Sequence, residues 1–222
     1  MRLDLHVHSA RSPDSSLRLG DIVEGLGLNG LQGFALTDHN TIEGHAALRE
    51  IAARYPNYRF IPGVEVSTAE GHLLVYGTSE LPPIRRPLEE TLDWTRARGL
   101  VTSLAHPLRL AHGVGPTIAA RAAVSAIETM NGHNREVPNA RAALLASRRG
   151  LGETGGSDAH ARRELGRAYT EVRDDVADLD ELLREIAEGH ARALGRSLTG
   201  FQGARVSLGN ALRRAARGFR AI

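Results

Sequence analysis

Seven short apolar runs alternate with helical patterns along this chain, and most of the runs end in a histidine or a carboxylate. The strand candidates are Leu3 to His8, Gly33 to Thr37, Phe60 to Val66, Leu73 to Gly77, Leu100 to Ala105, Ala126 to Met130 and Gly152 to Gly156, each bounded by glycine, proline or polar residues. Helical patterns cover Leu19 to Leu28, Thr41 to Arg54, Pro87 to Arg98, Thr117 to Val124, Pro138 to Arg149 and Leu179 to Glu188. Thr41 is placed as an N-cap, and Gly99, Gly150 and Gly189 as terminators. Such alternation calls for a mostly parallel sheet with helices outside it. Polar residues then choose between a barrel and an open sheet. His8, Asp38 with His39, Glu65, His106, Glu128 and Asp158 with His160 each finish or follow a different strand candidate, and a barrel gathers strand C-termini at one mouth. An open doubly wound sheet would instead advertise a Gly-rich turn after its first strand, which is absent here. The expectation is an α/β fold: a small, distorted (β/α)7 TIM-like barrel with its site at the C-terminal ends of the strands.

Composition narrows the chemistry. With 222 residues, 41% of them hydrophobic, one domain with a sizeable core is expected. There is no cysteine, so thiolate ligands, disulfides and cysteine nucleophiles are excluded. All 28 basic residues are arginine, which excludes a Schiff-base lysine, a P-loop lysine and a carboxylated lysine bridging two metals. The start Met1-Arg2-Leu3-Asp4 lacks signal-peptide character, and no apolar stretch reaches the roughly 18 residues that span a bilayer. A cytoplasmic location is the expectation.

Five runs carry the candidate site: Asp4-Leu5-His6-Val7-His8-Ser9, Thr37-Asp38-His39-Asn40, Gly63-Val64-Glu65, Ala105-His106-Pro107 and Gly156-Ser157-Asp158-Ala159-His160. On a strand, His6 and His8 share one face about 6 to 7 Å apart, close enough to ligate one ion. Glu65 sits among valines, where a carboxylate is costly unless a cation compensates it. Asp158 and His160 repeat the alternation after two glycines that allow close backbone approach. Imidazole with carboxylate is the donor set of Zn, Mn or Fe sites. Arg109 and Arg135, just beyond strand ends, are candidates to grip a phosphate.

Taken together, the five runs resemble the polymerase and histidinol phosphatase (PHP) superfamily of metal-dependent phosphoesterases, over roughly residues 1 to 195. The resemblance implies a distorted seven-stranded barrel holding two or three divalent ions (Mn, Zn or Fe) that hydrolyses a phosphate ester with a metal-activated water. It implies one ion on His6, His8, Glu65 and Asp158, a second sharing Glu65 with His106, and a third on Asp14, His39 and His160. His72 is a candidate ligand of the second ion or a substrate contact. Glu128 is a candidate ligand, supporting base or structural acceptor. Asp38, His160 and His106 are the candidates for orienting water or protonating the leaving group. The substrate expected is a small phosphomonoester or nucleotide, with a short oligonucleotide also open; aromatic content of only 4% offers no ladder for stacking bases. The competing metal barrel is that of the amidohydrolases, many of which need the bridging lysine this chain lacks.

Residues 196 to 222 form a separate piece. Arg205, Arg213, Arg214, Arg217 and Arg220 are interleaved with Val206, Leu208, Leu212, Phe219 and Ile222, and no acid falls after Arg205. A terminal helix packed on the barrel is expected. The alternative is an element that contacts nucleic acid, an anionic membrane or a partner chain, with a vestigial barrel in the extreme case.

Overall fold

The first strand, β1 (Arg2–Val7), lies in the interior of the sheet and supplies two of the candidate ligands at its end. In the computed structural model, which describes residues 1–216, it is followed by α1 (Leu19–Leu28), β2 (Gly33–Leu36), α2 (His45–Arg54), β3 (Arg59–Ser67) and β4 (His72–Tyr76). Next come α3 (Leu88–Arg96), β5 (Val101–Leu104), α4 (Gly115–Ala119), β6 (Ala126–Asn131), α5 (Glu136–Arg149) and β7 (Gly152–Gly156). The chain continues through β8 (Ala168–Glu171), α6 (Leu179–Ala187), β9 (Arg192–Gly195) and α7 (Gly200–Ala216). Arg217, Phe219, Arg220 and Ile222 of the basic tail lie outside the described residues.

Strands pair in the order β7-β6-β5-β4-β3-β2-β1-β8-β9. The seven strands read from the sequence form a nearly closed barrel. Beyond the end of β1, Val7 bridges Ala159 in parallel, the His8 N–H donates to the Ala159 carbonyl at 3.1 Å, and the Asp158 N–H donates to the His6 carbonyl at 2.8 Å. Two features depart from seven uniform strand and helix units. β4 runs antiparallel to both β3 and β5; the four-residue connection from β3 leaves no room for a crossover helix. β8 and β9 extend the sheet from the other edge of β1; Ala-Tyr-Thr-Glu and Arg-Ala-Leu-Gly are too short and mixed to stand out as strands. Thr41 does not cap α2, which starts four residues later; its hydroxyl instead accepts the Glu43 N–H at 3.2 Å in the preceding turn. The Thr117 to Val124 pattern contracts to the short α4.

Hydrophobic burial fixes which ends of the strands stay polar. Leu3 and Leu5 of β1 pack with Ile61, Leu74 and Tyr76, and Leu182 and Ile186 of α6 complete that cluster. Asp178 caps α6 by accepting the Glu181 N–H at 2.8 Å. Each such fully buried aliphatic contributes about 2 kcal/mol of transfer free energy. The register of β1 against β2 shifts between Asp4 and Val7, and Val7 packs instead with Ile22 and Leu26 of α1 and Leu48 of α2. The register shift re-aims the end of β1, the segment that carries His6 and His8. Among the described residues, no helix is long and apolar enough to cross a membrane.

Candidate metal centre

Glu65 is the hub. It lies on β3 with no exposure, and five imidazoles approach its two oxygens. Oε2 faces His6 Nε2 at 3.3 Å, His8 Nε2 at 3.3 Å and His39 Nδ1 at 2.9 Å. Oε1 faces His72 Nδ1 at 2.8 Å and His106 Nε2 at 3.0 Å. Asp158 Oδ1 closes the first group, 3.6 Å from His6 Nε2 and 3.4 Å from His8 Nε2. Further out, Asp14 Oδ2 lies 3.5 Å from His39 Nε2 and 3.2 Å from His160 Nε2. The structure thus brings His6, His8, Asp14, His39, Glu65, His72, His106, Asp158 and His160 into one cluster.

The cluster fits divalent ions by a direct test. His6 Nε2, His8 Nε2, His160 Nε2, His106 Nδ1, Glu65 Oε2 and Asp14 Oδ1 are all buried without a hydrogen-bond partner. Burying that many unsatisfied polar atoms together costs several kcal/mol unless a cation takes their lone pairs. The close approach of His39 Nδ1 to Glu65 Oε2 lacks hydrogen-bond geometry, as two groups aimed at a common third point would. Donor atoms from His6, His8 and Glu65, from His6, His106 and Asp158, from His8, His39 and His160, and from His39, Glu65 and His72 converge within 4.8 Å in each set.

Electrostatics keep the carboxylates ionised. Burial alone would raise Glu65, but His39, His72 and His6 beside it hold it well below the usual carboxylate range. Asp158 is likewise held low against its burial by His6 and Arg109. Burial, reinforced by His160 and His39, pushes His8 down to about 3, the neutral form a ligand must have. Burial opposes protonation of His39 too, yet Glu65 and Asp14 outweigh it and raise this imidazole to about 10.

Supporting contacts aim the donors. Glu128 accepts from His6 Nδ1 at 2.8 Å, from the His106 backbone N–H at 2.7 Å and from Asn131 Nδ2 at 2.9 Å. That first bond fixes the tautomer of His6 and turns its Nε2 lone pair inward. Glu128 is therefore an orienting acceptor. The glycines of β7 serve the same end: a Cβ on Gly156 would stand 2.3 Å from the His6 Cβ, so only glycine lets β7 lie against β1 there. His106 (φ 32°) and Asp158 (φ 57°) adopt left-handed backbone conformations, which non-glycine residues hold only where surrounding contacts impose them.

Two expectations change with the structure. Asp38 does not line the cavity: its carboxylate accepts from the Ser9 N–H, the Ser9 hydroxyl and the Ser12 hydroxyl, each at 2.7 Å, and so organises the loop behind His8 and His39. Arg135 is exposed at the N-terminal boundary of α5, away from the cavity. Asp14 does not cap α1, where Asp21 accepts the Arg18 N–H at 3.1 Å. Arg109 does reach the site. Its guanidinium donates to Asp158 Oδ2 and Asn131 Oδ1 at 2.7 Å and to Asn134 Oδ1 at 2.8 Å. Sequence reading passed over His112, stacked on His72 at 4.8 Å, and gave no role to His133, stacked on His160 at 5.6 Å. Both line a cavity of about 270 Å³ above the cluster. His112 stands in no strand-end run with a carboxylate, the signal that found the others, and His133 lies two residues past the strand that carries Glu128.

Comparison with known proteins agrees with this geometry. Residues 136–191 match the PHP-associated family. Two uncharacterized proteins of Methanocaldococcus jannaschii are similar in sequence, one 27% identical over 48% of this chain and 68% of its own length, the other 29% identical over 76% and 69%. A two-domain protein from Bacteroides vulgatus containing a predicted PHP-like metal-dependent phosphoesterase superposes with TM-score 0.73 and 18% identity, over 88% of this chain and 65% of that one. PsfC from Pseudomonas syringae gives 0.68 and 21%, over 97% and 98%. An amidohydrolase from Chromobacterium violaceum, solved with bound sulfate and no metal, gives 0.65 and 20%, over 88% and 98%. The lesion-specific endonuclease PfuEndoQ from Pyrococcus furiosus gives 0.61 and 17%, over 86% of this chain and 57% of that one. The chain has the α/β barrel fold of these structures, and its residues 136–191 match the PHP-associated family.

Proposed function

We propose that this protein is a metal-dependent phosphoesterase that hydrolyses a small phosphomonoester or nucleotide. The observation that carries the reading is Glu65, approached by five imidazoles, with His6 Nε2, His8 Nε2 and His39 Nδ1 beside it buried and unpartnered. His6, His8, Glu65 and Asp158 would hold one ion; Glu65 with His72 and His106 a second; Asp14, His39 and His160 a third. Bound Mn, Zn or Fe would supply a hydroxide-like water near neutral pH and a clamp on the phosphoryl oxygens.

The chain's own residues do the rest. Glu65 offers one oxygen to each side and so sets the spacing of two ligand groups. Arg109, fixed by Asn131 and Asn134, presents its guanidinium at the cavity wall, where it can orient a phosphate. With His106 and His160 engaged as ligands, His133 is an imidazole on the wall that in its neutral form can accept a proton from the attacking water. Burial keeps it largely neutral at rest, opposed by Asp158 and Glu164.

Metal analysis of protein purified without chelator, joined to a hydrolysis screen with Mn, Zn and Fe, tests the reading. Sugar phosphates, nucleotides, histidinol phosphate, short oligonucleotides and simple amides form the panel. Bound metal with turnover of a phosphate ester is expected. Turnover of amides alone would favour the amidohydrolase-like reading, and a metal-free, inert protein would overturn both.

A further inference from the structure

Helix α7 forms part of the wall of the same cavity. Asn210, Ala211 and Arg214 line it together with Asp14, His39 and Arg109. The helix is fastened there: Arg213 Nε donates to the Asp14 carbonyl at 2.7 Å, and the Arg213 guanidinium also holds Asn210 Oδ1. The approach to α7 is tied as well, by the Leu198 N–H on the Asn134 carbonyl at 2.7 Å and by Ser197 Oγ to Asn139 at 3.0 Å. Thus the residue that binds the helix to the barrel docks on the backbone of a candidate ligand, Asp14.

Arg214 is the neighbour that this docking leaves over the cavity. Its Nε is buried and has no hydrogen-bond partner among the described residues. An arginine N–H shut away from water without an acceptor is costly, and a guanidinium seeks planar, bidentate acceptors such as phosphate oxygens. The carboxylates already on the wall, Asp14, Glu65 and Asp158, face imidazoles, Asp158 also takes Arg109, and among the described residues none of them pairs with Arg214. Arg109 is held through Nε and Nη2 by Asn134, Asn131 and Asp158. An incoming anion is the acceptor that fits.

We propose that Arg214 binds the phosphoryl oxygens of the substrate, and that α7, by walling a cavity of about 270 Å³, restricts the enzyme to small molecules with a terminal phosphate. This rests on the phosphoesterase reading and adds its specificity element. A continuous nucleic-acid strand would need open chain paths on both sides of the scissile phosphate, and the helix occupies one of them.

Inorganic phosphate is the probe. Calorimetric titration into the metal-loaded, full-length protein is compared between the parent, Arg214→Gln and Arg214→Lys, with metal content and Tm recorded for each. Arg214→Gln is expected to weaken the phosphate Kd at least tenfold and to raise KM more than it lowers kcat, with unchanged metal content; Arg214→Lys recovers part of the loss. Equal phosphate affinity in the parent and Arg214→Gln overturns the role of Arg214 while leaving the phosphoesterase reading intact. No phosphate binding and no ester turnover by the metal-loaded parent overturns both. Cleavage of internal linkages in an oligonucleotide as fast as terminal phosphates overturns the restriction by α7.

Discussion

Replacing Glu128 by glutamine tests how the centre is built, because this residue is assigned to no ion yet holds the imidazole of a candidate ligand, His6. Its carboxylate accepts three hydrogen bonds, from His6 Nδ1, the His106 N–H and Asn131 Nδ2. A glutamine has one acceptor oxygen in place of two. If that oxygen keeps His6, the new amide NH2 is pushed against the N–H of His106 or the NH2 of Asn131, donor against donor. If the amide turns over, His6 loses its acceptor and the tautomer with an inward Nε2 lone pair is no longer favoured. Either way one buried charge-assisted bond is lost, worth about 1.5 to 3 kcal/mol. Carried through to the metal, this corresponds to a roughly 10- to 100-fold loss of affinity. Competition against a chromophoric chelator, with Zn or Mn, measures it directly and needs no substrate. Circular dichroism and Tm of the metal-free variant establish that the fold is retained. Affinity within twofold of the parent, in a background where His6→Ala abolishes tight binding, would refute the orienting role of Glu128.

Three other outcomes follow from the same geometry. Asp14→Asn is expected to remove one equivalent of metal and most of the activity while leaving the Tm of the metal-free protein within a few degrees, since Asp14 caps no helix; retention of all metal equivalents would remove the third site. Gly156→Ala forces a Cβ to 2.3 Å from His6 Cβ and 2.6 Å from His6 N, so β1 and β7 must part, with a loss of about 1 to 3 kcal/mol or more and weakened metal binding; an unchanged Tm in thermal denaturation would contradict it. Glu164 has its pKa lowered from 4.5 to about 2: burial opposes ionisation, but His133 and the His160 N–H outweigh it. A depressed carboxylate stabilises the fold above its unfolded pKa. In metal-free protein the parent should therefore exceed Glu164→Gln by up to about 3 kcal/mol near neutrality, the gap closing as pH falls from 4.5 towards 2. Denaturant titrations across that range check the sign, and a gap independent of pH would refute the account.

The sequence by itself determined the barrel strands and the main donors. Seven apolar runs bounded by glycine, proline or polar residues are β1 to β7 almost to the residue, because burial on both faces leaves a strand little freedom of composition. Histidines and carboxylates at the ends of those runs found His6, His8, Glu65, His106 and Asp158, since buried charge is retained only where something compensates it. Tertiary structure decided what the runs could not encode. Strand direction is absent from an apolar pattern, so β4 reads the same whether parallel or antiparallel. The two oxygens of Glu128 look like those of Glu65 in sequence, yet one carboxylate faces the cavity and the other turns away towards His6 Nδ1. Asp38, beside His39, reads as part of the site until Ser9 and Ser12 are seen to take up its oxygens. His112, His133 and Arg214 come from loops and a terminal helix, where periodicity carries no information about direction. Their place on the cavity wall arises from chain segments up to about two hundred residues apart, such as Asp14 and Arg213, and contacts at that separation are fixed by packing rather than by any local pattern.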